Sequence, residues 1–315
     1  MTETTRSQNN KKALMAMRAG YYQEAEQILQ GILQDYPEDR QAQFALSVLS
    51  LELHKPGEAV AYLDPLLQEF PKETEYRVQW LRINFFEAAY FRVLQQGLAW
   101  RRETPDPELY RLMGNAARAK GLWKLASKYY QAYPDQVEIQ AEEFLLLAMH
   151  PEGDLQAALE GIAPLADKQS GNFTVLKNAA LIALLAKQPE RAEPWIAAAR
   201  GLKRDNYEVR ALLAKWLHQT GDLEKAEKVF NRSITTYRIN PLAYAHLGWL
   251  FLDLDRPYDA SICFSEAIKK VPAYYQEAEK LAEILYEYFG RITWASTALK
   301  AALRVNPGRG KLYAR

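Results

Sequence analysis

Three arginines, Arg82, Arg111 and Arg118, fall close together in this 315-residue chain, beside Asn115 and the apolar pair Phe85-Phe86. A guanidinium fork matches a carboxylate with two parallel hydrogen bonds, so on one surface these residues would grip an acidic group. With Glu75 and Glu108 as partners, the same arginines would be ordinary surface salt bridges, and the residue types leave both readings open. Further along the sign reverses, at Asp253, Glu279, Glu283 and Glu287. Trp249, in the run His246-Leu247-Gly248-Trp249, is of the type that most often anchors an apolar side chain at an interface.

Catalytic chemistry finds no such support. The chain has no Gly-rich phosphate loop, GxSxG, HExxH or CxxC. Its four histidines, His54, His150, His218 and His246, lie far apart, and no carboxylate pattern joins them into a metal site. The expectation is therefore a non-enzymatic protein with no cofactor and no metal. The single cysteine, Cys263, sits beside Phe264 on an apolar helical face and reads as a packed thiol in a reducing compartment. A formal net charge of +1, with cations spread evenly, favours neither nucleic acid nor an anionic membrane. The first ten residues are polar, with no apolar signal region, and no stretch reaches the roughly 20 apolar residues of a membrane span. These features point to the cytoplasm and to no membrane insertion. The triplets Asn172-Phe173-Thr174 and Asn231-Arg232-Ser233 match a glycosylation acceptor pattern that arises often by chance, and are set aside.

The elements that must position these residues repeat about every 34 residues. Leu247-Gly248, Asp255, Ala260, Phe264, Ala267 and Pro272 follow Leu213-Ala214, Gly221, Ala226, Phe230 and Ser233 by one period. Near the N-terminus Gly20, Ala25, Leu29, Ile32 and Pro37 precede Leu46-Ser47, His54, Ala59, Leu63, Leu66 and Pro71. Such a period marks stacked helix pairs, not a single closed core. Small residues let paired helices approach, glycines at 20, 121, 153 and 221 suit a turn that needs positive φ, and prolines end the second helices. The third repeat is degenerate, with Ala88-Ala89-Tyr90 at its turn and Val93 at the alanine position. Pro134 comes early, so the fourth repeat needs a short second helix, and a change of pitch is expected near residues 131–140. In the last repeat Phe289-Gly290 and Trp294-Ala295 imply a one-residue shift. Residues 1–10 read as a disordered tail, 11–306 as one array, and 307–315 as a short C-terminal tail.

This pattern resembles the tetratricopeptide repeat family over nearly the whole chain. The resemblance implies an all-α, right-handed α-solenoid of about nine helix-turn-helix repeats, whose first helices line a concave groove. Laid on this sequence it turns Arg82, Phe85, Phe86, Arg111, Asn115, Arg118, Lys177, Lys215, Trp249, Asp253 and Glu283 toward that groove. The groove would then be positive in its N-terminal half and negative at its C-terminal end. The Lys/Asn clamp by which some family members hold a chain-terminal carboxylate is not matched: Arg111 replaces its lysine, and Glu143 and Leu147 occupy the next repeat's places. The function implied is a scaffold or adaptor that holds an extended or helical segment of a protein partner, acidic where it meets the arginines. Because no solvating helix follows the last repeat, three readings of that end stand. The last repeat caps itself, the chain is a non-catalytic arm of a larger enzyme such as a sulfotransferase or glycosyltransferase, or it self-associates through an uncapped C-terminal end. A secretion or envelope assembly factor would use the same groove.

Overall fold

A computed structural model describes residues 3–203, 206–237 and 239–308, and these form eighteen α-helices with no strand among them. They follow as nine helix-turn-helix units: α1 (Glu3–Arg18) and α2 (Tyr22–Asp35), α3 (Arg40–Glu52) and α4 (Pro56–Glu69), α5 (Thr74–Phe86) and α6 (Tyr90–Trp100), α7 (Pro107–Ala119) and α8 (Trp123–Tyr130), α9 (Val137–Met149) and α10 (Leu155–Lys168), α11 (Phe173–Leu185) and α12 (Pro189–Leu202), α13 (Tyr207–Gln219) and α14 (Leu223–Thr236), α15 (Pro241–Asp253) and α16 (Pro257–Lys270), α17 (Tyr275–Glu287) and α18 (Ile292–Val305). The odd-numbered helices are A helices and the even-numbered ones B helices. The chain divides into two compact units, residues 1–112 and 113–315, with the division inside α7.

The small residues do what their spacing implies. Ala25, Ala59, Ala126, Ala158, Ala192, Ala226 and Ala260 are all fully buried, and Val93 fills the same place in the third repeat. A methyl group on Gly248 would sit 2.5 Å from Cε1 of Phe264, and one on Gly114 would collide with the ring of Tyr130. The aromatic ring of a B helix thus lies directly on the A-helix backbone. In the last repeat Ala295 is buried while Trp294 is 66% exposed, which is the one-residue shift. Helix α8 is short, at eight residues, as the early Pro134 requires.

Turn geometry follows the sequence with one correction. Gly20 and Gly221 take φ of +80° and +92°, and the equivalent turn residues His54, Ala88, Lys187 and Asp255 adopt the same left-handed region without being glycine. Gly153 does not. An added Cβ there would collide with the Leu147 carbonyl oxygen, so this glycine answers a close backbone approach and not a positive φ. After three of the B helices a recurring bond fixes the crossing to the next A helix. Gln43 Nε2 donates to the Pro37 carbonyl at 2.7 Å, Arg77 Nε to Pro71 at 2.7 Å, and Gln140 Nε2 to Pro134 at 2.9 Å. Asp39, Asp106, Asn172, Asn206 and Asn240 then cap A helices by accepting from backbone amides three residues on.

The described N-terminal residues are helical from Glu3. Arg6 reaches the carboxylate of Asp39 at 3.3 Å and lies over the Tyr36 ring, and Asn10, 5% exposed, donates to Asp39. One acidic cap thereby ties down a polar first turn that apolar periodicity does not reveal. In the second unit the end of α18 and the start of α17 meet the α7–α8 turn. The Ala273 amide donates to the Ala119 carbonyl at 3.0 Å, Trp123 Nε1 donates to the Val305 carbonyl at 3.2 Å, and Val305 packs on Gly121. Residues 309–315 of the expected C-terminal tail lie outside the described residues.

Candidate interaction face

In both units A helices touch the next A helix: α1 meets α3 and α3 meets α5, while α9, α11, α13 and α15 form a second row. This puts side chains from successive A helices within reach of each other, and the structure bridges them with polar rungs. In the first unit the carboxylate of Glu108 takes both Arg82 and Arg111, with Arg82 Nε at 3.1 Å from Oε1 and Arg111 Nε at 2.6 Å from Oε2. Burial alone would raise the pKa of Glu108, but the Arg111 and Arg82 guanidiniums outweigh it and hold the carboxyl below its ordinary value. Phe86 stacks on His54 at 5.8 Å, and Phe85 packs against Tyr90.

In the second unit, Arg118 Nη2 and Asn115 Nδ2 both donate to Glu142, at 2.9 and 3.1 Å, and the Tyr130 hydroxyl donates to Asn115 Oδ1 at 2.6 Å. Lys177 pairs with Glu208 at 3.0 Å. His218 Nε2 lies 2.7 Å from Asp253. Trp249 Nε1 donates to Glu277 at 3.0 Å while the indole meets the Phe264 ring edge-on. Glu283 pairs with Lys280 on its own helix. The expected division into a positive and a negative end is therefore largely neutralised by ion pairs, the salt-bridged alternative for the arginines.

Lys215 differs from the rest. Its Nζ faces Nδ1 of His246 at 3.4 Å, a neutral partner. Burial lowers the Lys215 pKa to about 8, opposed only by Glu277. The ordinary value is 10.5, so folding favours loss of its proton. The resulting cost to stability is full below pH 8 and disappears as pH rises from there to 10.5. Lys215→Met is accordingly expected to stabilise the chain by about 1–3 kcal/mol at pH 7, with the gain shrinking toward pH 10. Urea denaturation at both pH values checks this, and a gain that does not change with pH would refute it.

Cys263 is 6% exposed and burial raises its thiol pKa to about 12, so it is inert packing. His150 lies against Trp123, remote in role from the His218–Asp253 pair. Among the described residues no cluster of three or more His, Cys, Asp or Glu is arranged for a metal ion. Nor is any helix long and apolar enough to cross a membrane.

Residues 16–79 match a family model described as the tetratricopeptide repeat. The nine helix-turn-helix units have the fold of tetratricopeptide repeats. A chain of the APC/C hetero-tetramer Cut9-Hcn1 superposes with a TM-score of 0.65 at 13% identity, over 95% of this chain and 66% of that one, so this chain spans just under two thirds of its length. A chain of the human IFIT1 dimer with PPP-AAAA gives a TM-score of 0.54 at 14% identity, over 93% of this chain and 81% of that one. At these identities the likeness is one of fold. No curated protein matches the sequence.

The tetratricopeptide pattern turned the basic residues and also Glu108, Glu208, His218 and Asp253 toward the face, but did not place Glu142, His246 or Glu277 there. A signal existed: Lys177 and Glu208, like Lys215 and His246, are separated by 31 residues. That is one repeat less one helical turn, the offset at which neighbouring A helices meet.

Proposed function

We propose that this tetratricopeptide array is a non-enzymatic scaffold or adaptor of the cytoplasm that holds a segment of a protein partner along its A helices. The repeats support the general reading, because tetratricopeptide proteins bind protein partners, and a chain of similar fold occurs in the Cut9-Hcn1 assembly. The observation that carries the placement is Lys215, a half-buried cation on the A-helix face that meets no carboxylate while its neighbours are paired. The extensive ion pairing disfavours a polyanion as ligand, since the pairs would have to be broken to free the cations. Self-association is a second reading, favoured by the outward Tyr258, Ile262, Ile292 and Trp294, which are 64%, 47%, 68% and 66% exposed.

Capture from native lysate, read by mass spectrometry, tests the main reading with three proteins. Wild type should retain a partner, a Lys215→Gln variant should lose most of it, and a Tyr258→Ser/Trp294→Ser variant should keep it. Loss only in the last variant would move the interface to the B-helix side.

A further inference from the structure

Two seams between successive B helices carry the same polar rung. Lys55, which precedes α4, pairs with Glu26 of α2 at 3.5 Å and with Glu58 of its own helix at 3.2 Å. Arg256, which precedes α16, does the same with Glu227 of α14 at 2.8 Å and Asp259 at 2.7 Å, and its guanidinium lies over the Phe251 ring. In both rungs one acid is the fifth residue of the preceding B helix and the other is the third residue of the cation's own helix. Arg291 holds the same place before α18. Its two counterpart positions are Ser261 on α16 and Trp294 on α18, and Leu285 stands where Phe251 does one repeat earlier. The cation is present and both of its acids are absent. Among the described residues no ion pair or hydrogen bond engages the exposed Arg291 side chain.

In place of a rung this seam has a groove of about 510 Å³. Tyr258 and Ile262 line it from α16, Leu285 and Phe289 from α17 and the turn after it, and Arg291 and Trp294 from the start of α18. Its other cation, Lys269, is closed by Glu266 at 2.6 Å. An apolar surface with one unpaired guanidinium is complementary to apolar side chains that flank a carboxylate. The chain carries that combination beside the groove. Residues 286–294 are all exposed, and within them Glu287 stands between Tyr286 and Tyr288. Like Arg291, Glu287 meets no partner among the described residues. Phe289 and Gly290, the latter at φ of +59°, turn the chain between the two charges.

A two-fold axis suits such a patch, because each residue then meets its complement on the other copy and the exchange occurs twice in one contact. An unpaired acid and an unpaired cation on one short turn are satisfied together, and the exposed rings around them lose water at the same time. We propose that a second copy of this chain docks at the α16–α18 seam, in a two-fold dimer in which Arg291 of each copy takes Glu287 of the other. The proposal rests on the self-association reading and names its surface, its charge pair and its symmetry. It uses neither α13 nor α15, so it is compatible with a partner held along those A helices.

Sedimentation velocity on the full chain, over a concentration series, tests this. Wild type should pass from one copy to two and no further. Arg291→Glu and Glu287→Arg each set like charges against one another at two symmetry-related contacts, so each should weaken dimerisation at least about tenfold. Mixing the two variants should restore a dimer, because every reversed charge in one copy then faces its opposite in the other. Both side chains are exposed, so the circular dichroism of each variant should match wild type. Wild type that stays a single copy throughout overturns the proposal and leaves the groove to a foreign acidic segment. Species larger than two copies overturn the two-fold arrangement. A dimer insensitive to both reversals but lost in Trp294→Ser keeps the self-association reading and overturns the Arg291–Glu287 pairing.

Discussion

Glu142→Ala should cost the second unit about 3–5 kcal/mol, among the largest effects of any single change on the A-helix face. Glu142 is 1% exposed and accepts from both Asn115 and Arg118. Removing it leaves the Arg118 guanidinium, whose side chain is only 14% exposed, without its counter-charge. It also frees Asn115 Nδ2, although the Tyr130 hydroxyl still holds the other side of that amide. The penalty comes from an orphaned charge, so deleting both partners should be gentler than deleting the acid alone. The Arg118→Ala/Glu142→Ala double variant is expected to recover a substantial part of the loss in urea denaturation. Equal instability of the single and double variants would mean that Glu142 acts through packing and not through its charge.

Gly248 and Phe264 provide the second large effect. Phe264 is fully buried, and its ring covers the backbone of α15 at Gly248. Phe264→Ala should cost about 3–5 kcal/mol through lost contact and the cavity left behind. Gly248→Ala should cost about 1–3 kcal/mol for the opposite reason, since the new methyl forces the ring outward. The two faults are complementary in space. A Gly248→Ala/Phe264→Leu protein should therefore lose less than the sum of its single variants. Strict additivity in the thermal denaturation of all three would refute direct packing between these positions.

Much of the architecture was legible because a 34-residue period constrains every level at once. Alanine fixes the close side of a hairpin, as at Ala226 and Ala260, and proline ends the helix that follows, as at Pro71 and Pro272. Even the irregularities were readable, from the early Pro134 to the shift that buries Ala295 and exposes Trp294. The face was legible only in part, for a physical reason. Repeat position says which way a side chain points, but not which side chain from the next helix comes to meet it. Arg82 and Arg111 read either as a basic patch or as salt bridges to Glu75 and Glu108, and folding sets Glu108 between them. Asn172 looked like a chance glycosylation triplet, yet its side chain caps α11 and donates to Glu138. Gly153 looked like a turn glycine, and only the position of the Leu147 carbonyl shows why it is small. The helical start at Glu3 was hidden because its support is ionic, through Arg6 and Asp39, and leaves no apolar periodicity.

The central claim is that a partner lies along the A helices and not across the B helices. Hydrogen exchange by mass spectrometry, on the chain alone and on its captured complex, reads this directly. The account predicts slowed exchange in α13 and α15 around Lys215 and His246, with α16 and α18 unchanged. Slowed exchange confined to α16 and α18, with the A helices unaltered, would contradict it.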